Sequence, residues 1–381
     1  MNVPESRLEE IRALYTDGLN LQAHAKALEA GPYREWEGAS ARVLAGRLIA
    51  HLGAPRLAFA MKQSTAKRHP DHPEALYYYA CEVLTRCGPW STIRYIEDRM
   101  RTVDGRGSDD VRSSWYALYA ETLGRLRDFA SAWEWQERAE RFPRLDPWPL
   151  VCRAHLLEME DRRPEAIEVA REALKSRPFY RPATTLLAGL LADADRIDEA
   201  LELLREADRR IESNTVAAQL GYLLSEVQRH DEARAAWERY EALSPLLEPS
   251  EKEWLSARRC DAACETGAWS AAAAFAVQAK SPFYERLARR LAEDPGSGRR
   301  VLLPVGFVRQ HHITCAPATL TALSAFWGRA VEHLTLAEEI CYNGTSNHGE
   351  RAWAERNGFA TREFTVTMES AVALIDRGVP F

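Results

Sequence analysis

The chain has 381 residues, with 50 lysine and arginine residues against 56 aspartate and glutamate, a formal charge of −6 that excludes a globally basic nucleic-acid binder. That length exceeds a usual single domain, no apolar run reaches the roughly 18 residues of a membrane-spanning helix, and residues 1–10 are charged and lack a signal-peptide core. The cysteines, Cys81, Cys87, Cys152, Cys260, Cys264, Cys315 and Cys341, are scattered and odd in number, unlike a secreted disulfide framework, so a reducing cytoplasm is expected.

In chain order, the first third reads as irregular helical pairs. Gly46, Ala58 and Pro70 mark one pair, and residues 75–84 begin another that Cys87-Gly88-Pro89 and Gly105-Arg106-Gly107-Ser108 interrupt. The spacing then becomes regular: Ala132, Ala166, Ala200 and Ala233 stand 34, 34 and 33 residues apart. Twelve residues before each is another small residue, Ala120, Ala154, Ala188 and Gly221; seven after are Ala139, Ala173, Ala207 and Tyr240. Pro178 and Pro245 close two of the pairs. Small residues at fixed places let two helix axes approach while larger ones, such as Leu186, Leu187, Leu190 and Leu191, fill the flanks. Ile197, Ala200, Leu201 and Leu204 follow at helical spacing.

A period near 34 residues is that of tetratricopeptide repeats, and these pairs resemble that family although its aromatic positions are poorly kept. The resemblance implies a mostly α, right-handed solenoid of five or six helical pairs between residues 5 and 245. Such a solenoid offers a concave groove for a protein or peptide partner. Trp133, Trp135, Trp148 and Trp237 are candidates to line that groove, against the plainer reading that they pack between helices. Mixed-sign stretches such as residues 205–210 read as solvated helix faces. Helices are expected at residues 251–264, 270–280 and 281–291, where they would cap the last repeat. Glu293-Asp294-Pro295-Gly296-Ser297-Gly298 is the clearest linker, which divides the chain into 1–295 and 296–381.

The second part opens on an apolar, strand-like run at residues 301–307 and continues into Gln310-His311-His312-Ile313-Thr314-Cys315-Ala316-Pro317-Ala318. A glutamine five residues before a cysteine that opens a helix is the layout of a cysteine nucleophile. The thiolate is favoured at a helix N-terminus, and a nearby amide with the cysteine's own N–H can hold an oxyanion. With these residues, the segment from about 301 to 381 resembles the first half of a papain-like domain of the C39 peptidase type, with Ala316 in place of the commoner glycine. The similarity runs on through residues 340–346, a helix from Gly349 to Asn357 ending at Gly358, and residues 368–378.

The resemblance implies a partial α+β fold with Cys315 as nucleophile and Gln310 as oxyanion donor. It also implies a strand starting at Gly378, with the catalytic histidine and its aspartate or asparagine partner beyond Phe381. His311, His312, His333 and His348 are read as loop or surface residues rather than the base, and no fourth ligand makes His311, His312 and Cys315 a zinc site. Asn343-Gly344-Thr345 is a turn before it is a glycosylation acceptor. No cofactor is expected. The expected function is a bacterial-type, repeat-mediated binder of proteins or peptides joined to a C39-like domain that does not cleave in this chain. The alternatives are a scaffold with a pseudo-peptidase domain and a cysteine acyltransferase.

Overall fold

A computed structural model describes residues 2–143, 146–294, 301–310, 313–342 and 344–381. Two compact units divide the chain, Met1–Pro295 and Gly296–Phe381. The first is an array of antiparallel helical pairs. α1 (Glu5–Thr16) and α2 (Asn20–Glu29) form the first, α3 (Ala39–Ala50) and α4 (Pro55–Arg68) the second. In the third, α5 (Pro73–Cys87) is answered by two short helices, α6 (Pro89–Glu97) and α7 (Met100–Arg106). Then come α8 (Asp109–Arg125) with α9 (Phe129–Glu140), α10 (Trp148–Met159) with α11 (Arg163–Ser176), and α12 (Arg181–Asp193) with α13 (Ile197–Arg210). The series continues with α14 (Asn214–Glu226) and α15 (His230–Ala242), then α16 (Pro249–Glu265) and α17 (Trp269–Ala279), followed by α18 (Pro282–Glu293).

Seven pairs therefore precede residue 245 among the described residues, where five or six were expected. The surplus lies in the first hundred residues, whose pairs lack the regular small-residue spacing. Gly46 of α3 does face α4, where an added Cβ would sit 3.3 Å from Lys62 Cγ. Local signals begin and end the helices: Pro55, Pro73, Pro89, Pro249 and Pro282 occupy first-turn positions that need no N–H donor, and the Ser108, Asp128 and Ser213 side chains accept from N-terminal amides. The repeating alanines Ala132, Ala166, Ala200 and Ala233 are fully buried, as are Ala139, Ala173 and Ala207. A continuous apolar core runs from Val151 to Ala236.

Within each pair the two helices pack together, and the first helices of successive pairs also touch, α3 on α5, α8 on α10, α10 on α12 and α12 on α14. The first helices thus form the inner wall of the array. That wall closes on itself. The turn between α1 and α2 pairs with the turn between α13 and α14, where Glu212 N–H donates to Gly18 O at 2.8 Å and Leu19 bridges Glu212. One pair further along, Leu246 N–H donates to Leu52 O and Glu248 N–H to Gly53 O, both at 2.9 Å.

The second unit contains α19 (Cys315–Phe326), α20 (His333–Ile340), α21 (Asn347–Arg356) and α22 (Met368–Asp376). Leu336, Trp353 and Ala354 make its buried core, with Leu320, Val331, Ile340 and Phe359 against them. The strands expected at residues 301–307 and from Gly378 are not formed: both stretches lack regular structure, and β pairing among the described residues is limited to the bridges Leu19–Glu212 and Cys341–Thr345. A strand exists only where a partner takes its N–H and C=O groups, and none is presented to Val301, Leu302 or Phe307, which remain exposed. The described part of this unit is helical, without the sheet that an α+β papain-like half would carry.

Candidate ligand-binding chamber

Inside the closed array the inner wall surrounds two adjoining cavities of about 170 and 210 Å³, which share Tyr15, Arg47, His51, Asp146, Tyr180, Arg181 and Pro182. They come from separate places along the chain: Tyr15 from the last turn of α1, Arg47 and His51 from the C-terminal end of α3, Asp146 from the segment before α10, and Tyr180 and Arg181 from the start of α12. Four cations, Arg47, Lys62, Arg177 and Arg181, line the chamber against two carboxylates, Asp17 and Asp146.

The four cations differ in how they are compensated. The Arg47 guanidinium is sandwiched between two phenol rings, 4.7 Å from the centroids of both Tyr15 and Tyr78, and lies 3.8 Å from Glu74. Lys62 Nζ donates to Glu82 at 2.7 Å. Arg177 reaches Thr16 O at 2.8 Å and Asp17 at 3.0 Å. The Arg181 side chain has no hydrogen bond or ion pair among the described residues, yet it acts electrostatically on both Tyr15 and His51.

Those effects have clear signs. Burial and then the charges of Arg181, Lys62 and Arg47 push His51 well below the ordinary imidazole range, so the ring is neutral at neutral pH. For Tyr15, burial raises the phenol, but Arg47, Arg181 and Lys62 together outweigh it and leave the hydroxyl more acidic than usual. Tyr15 and His51 stand with ring centroids 5.7 Å apart. The chamber is a cationic pocket walled by aromatic faces, with phenol and imidazole groups to donate or accept hydrogen bonds. It can hold a negatively charged group.

The seam that closes the array borders this chamber. The Glu212 carboxylate accepts from Leu21 N at 2.7 Å and Gln22 N at 3.2 Å, and Asn20 Nδ2 donates back to Glu212 O at 2.8 Å. Glu248 repeats the arrangement, accepting from Arg56 N at 3.1 Å and Leu57 N at 2.9 Å. Helices α2 and α4 have no side-chain cap of their own, so each takes its capping carboxylate from a residue far down the chain.

Cys315, expected as a nucleophile, is the first residue of α19 and is exposed. Gln310 is exposed in the segment before it, and no hydrogen bond joins either side chain to the other or to a histidine among the described residues. His333, expected at the surface, is half-buried, with Nε2 3.1 Å from Thr314 Oγ1, next to Cys315. Cys341 Sγ lies 3.3 Å from Ile313 O in the same loop, and Ile313 holds a left-handed φ of 54°. His348 lies in α21, while His311, His312 and Asn343 fall outside the described residues. No cluster of three or more metal-ligating side chains occurs among the described residues.

Of the four tryptophans, Trp237 is core, Trp133 and Trp135 are half-buried against neighbouring helices, and Trp148 lines one of the two cavities. The chamber residues themselves escaped the sequence reading. One signal was available: Arg47 interrupts an otherwise apolar, buried run in α3, Val43 to Ile49.

No helix among the described residues is long and apolar enough to cross a membrane. No family model and no curated protein matches the chain. Several solved structures are similar to it. The Cut9–Hcn1 hetero-tetramer of the APC/C matches at 12% identity and a TM-score of 0.44 over 74% of this chain and 55% of that one, so the chain spans about half of that protein's length. PilF of Pseudomonas aeruginosa matches at 15% identity and TM-score 0.40, covering 59% of this chain and 99% of that chain. A tetratricopeptide-repeat protein of Thermus thermophilus matches at 19% identity and TM-score 0.35, covering 60% and 100%. In fold, the first unit is a solenoid of helical pairs.

Proposed function

We propose that the chain is a binding protein whose helical array holds a peptide segment of a protein partner against its inner wall. The observation that carries this reading is the chamber: aromatic faces and charged groups converge there from several first helices, which is how a repeat array selects a ligand. Seven free cysteines fit a reducing cytoplasm as its place of work. The test is a peptide library selected on the intact chain, with the winning peptides titrated against Tyr78→Ala and Trp148→Ala. Loss of affinity by tenfold or more in either variant supports the inner wall as the binding face; unchanged affinity in both sinks it.

For the second unit, the finer reading is a C39-like cysteine peptidase domain with Cys315 as nucleophile and Gln310 as oxyanion donor. It rests on the position of Cys315 at the N-terminus of α19, its exposure, and the five-residue spacing from Gln310. The alternatives are a scaffold that keeps the cysteine without catalysis, and transfer of an acyl group to an amine. Exposed Cys87 in the first unit is an internal reference thiol. Alkylation of Cys315 at least tenfold faster than Cys87 in the intact chain fits an activated nucleophile; equal rates favour the scaffold.

A further inference from the structure

The chamber has a feature that peptide binding alone does not require. Arg47, Lys62 and Arg181 come from three helices, α3, α4 and α12, and all three line one cavity together with the His51 imidazole and the Tyr15 phenol. Like charges gathered in a partly enclosed space repel one another, and burying them costs free energy unless an opposite charge sits among them. Glu74 and Glu82 pair with Arg47 and Lys62, Asp17 occupies Arg177, and Asp146 is the one carboxylate that lines both cavities, set against Arg47 and Arg181, which line both, and Lys62, which lines the second. Arg181 is left with nothing to bind among the described residues, and a neutral His51 and an acidified Tyr15 hydroxyl stand in its field.

We propose that this chamber is a receptor for a phosphate-type oxyanion, anchored by Arg181 with Arg47, Lys62 and the Tyr15 hydroxyl around it. It deepens the reading of the inner wall as a binding face by naming the group that enters it. The directions of approach favour a tetrahedral anion. A planar carboxylate presents two oxygens to one guanidinium fork, whereas cations from three helices match an acceptor with oxygens on several sides. Each cavity, at about 170 and 210 Å³, has room for such a group.

The experiment is calorimetric titration of the intact chain with inorganic phosphate, O-phosphoserine and acetate. Phosphate and O-phosphoserine are expected to bind, with acetate weaker by tenfold or more. Phosphoserine binding well above phosphate would identify a phosphorylated side chain as the source; the reverse would identify the free ion. Arg181→Met is expected to weaken binding at least tenfold and Arg181→Lys to restore part of it. Lys175→Met removes an exposed charge elsewhere in the array and is expected to change nothing. Circular dichroism establishes that each variant is folded. Absence of phosphate binding, or equal affinity in wild type and Arg181→Met, overturns the inference. If selected peptides still bind while phosphate does not, only this inference falls, and the inner wall remains the binding face.

Discussion

At the scale of single residues, the repeat pattern and the packing agree at the small positions, and Gly221 shows why one of them is glycine. Where earlier pairs carry Ala120, Ala154 and Ala188, Gly221 faces the indole of Trp237, and a Cβ there would come within 2.8 Å of the ring. Gly221→Ala gains roughly 1 kcal/mol of helix propensity but overpacks a rigid aromatic contact at about 1–3 kcal/mol. The net expectation is destabilisation, read by chemical denaturation; a variant as stable as wild type would mean that Trp237 moves freely. Of the two readings that the sequence allows for Trp237, groove lining and packing between helices, the buried ring shows packing. The chamber residues were not legible, because neither Arg47 nor Arg181 follows a motif. Their meaning comes from segments more than a hundred residues apart.

His51 adds a pH dependence at the same scale. Its neighbours are Tyr15 from α1, Arg47 from α3, Lys62 from α4, Arg181 from α12 and Asp146 before α10. Because its folded value is depressed, the unfolded chain binds more protons near pH 6 than the folded chain does. The stability tied to His51 is thus complete above the unfolded value of about 6.5 and is lost as pH falls below it. Half-buried His24 has the same sign. Denaturation midpoints between pH 7.5 and 5 should fall for wild type and fall less for His51→Gln; parallel curves would rule out an unprotonated His51 in the folded state.

At the scale of elements, the helices were read more accurately than the turns between them. Arg127, Asp161, Asp195 and Gln228 all hold left-handed φ values, from 59° to 66°, and follow one another with the period of the alanines. None is glycine, so composition gave no sign of these turns; the helical pairs on either side impose the conformation. The seam was hidden for a related reason. Leu19 and Ala54 precede α2 and α4 without a capping side chain, and the missing acceptors arrive from Glu212 and Glu248, each about 190 positions later. Glu212→Ala and Glu248→Ala should each cost about 1–2 kcal/mol, with Glu→Gln less, since a carboxylate at a helix N-terminus contributes both hydrogen bonds and charge. If both alanine variants unfold at the wild-type denaturant concentration, the closure of the array is not held by these caps.

At the scale of the whole molecule, the two units differ in what they bury. In the first, each helical pair covers the next, and the core from Val151 to Ala236 is continuous. In the second, the buried apolar residues are Ala318, Ala322, Leu336, Ala337, Trp353 and Ala354; α22 buries nothing, and Val301, Leu302, Phe307, Phe364, Val366 and Met368 are exposed. The apolar run at residues 301–307 looked like a strand because strand composition was present, but composition does not provide a neighbour to pair with. Opening free energy scales with the apolar contacts and protected hydrogen bonds lost on opening. Amide exchange of the intact chain should therefore be fast at residues 301–310 and 360–366, intermediate in α19 to α21, and slowest in α10 to α14. The amides of α22 are expected to exchange ahead of those in α21, whose Trp353 is buried. Protection of α22 or of residues 301–307 equal to that of α12 would show that these segments have a partner that the helices of their own unit do not supply.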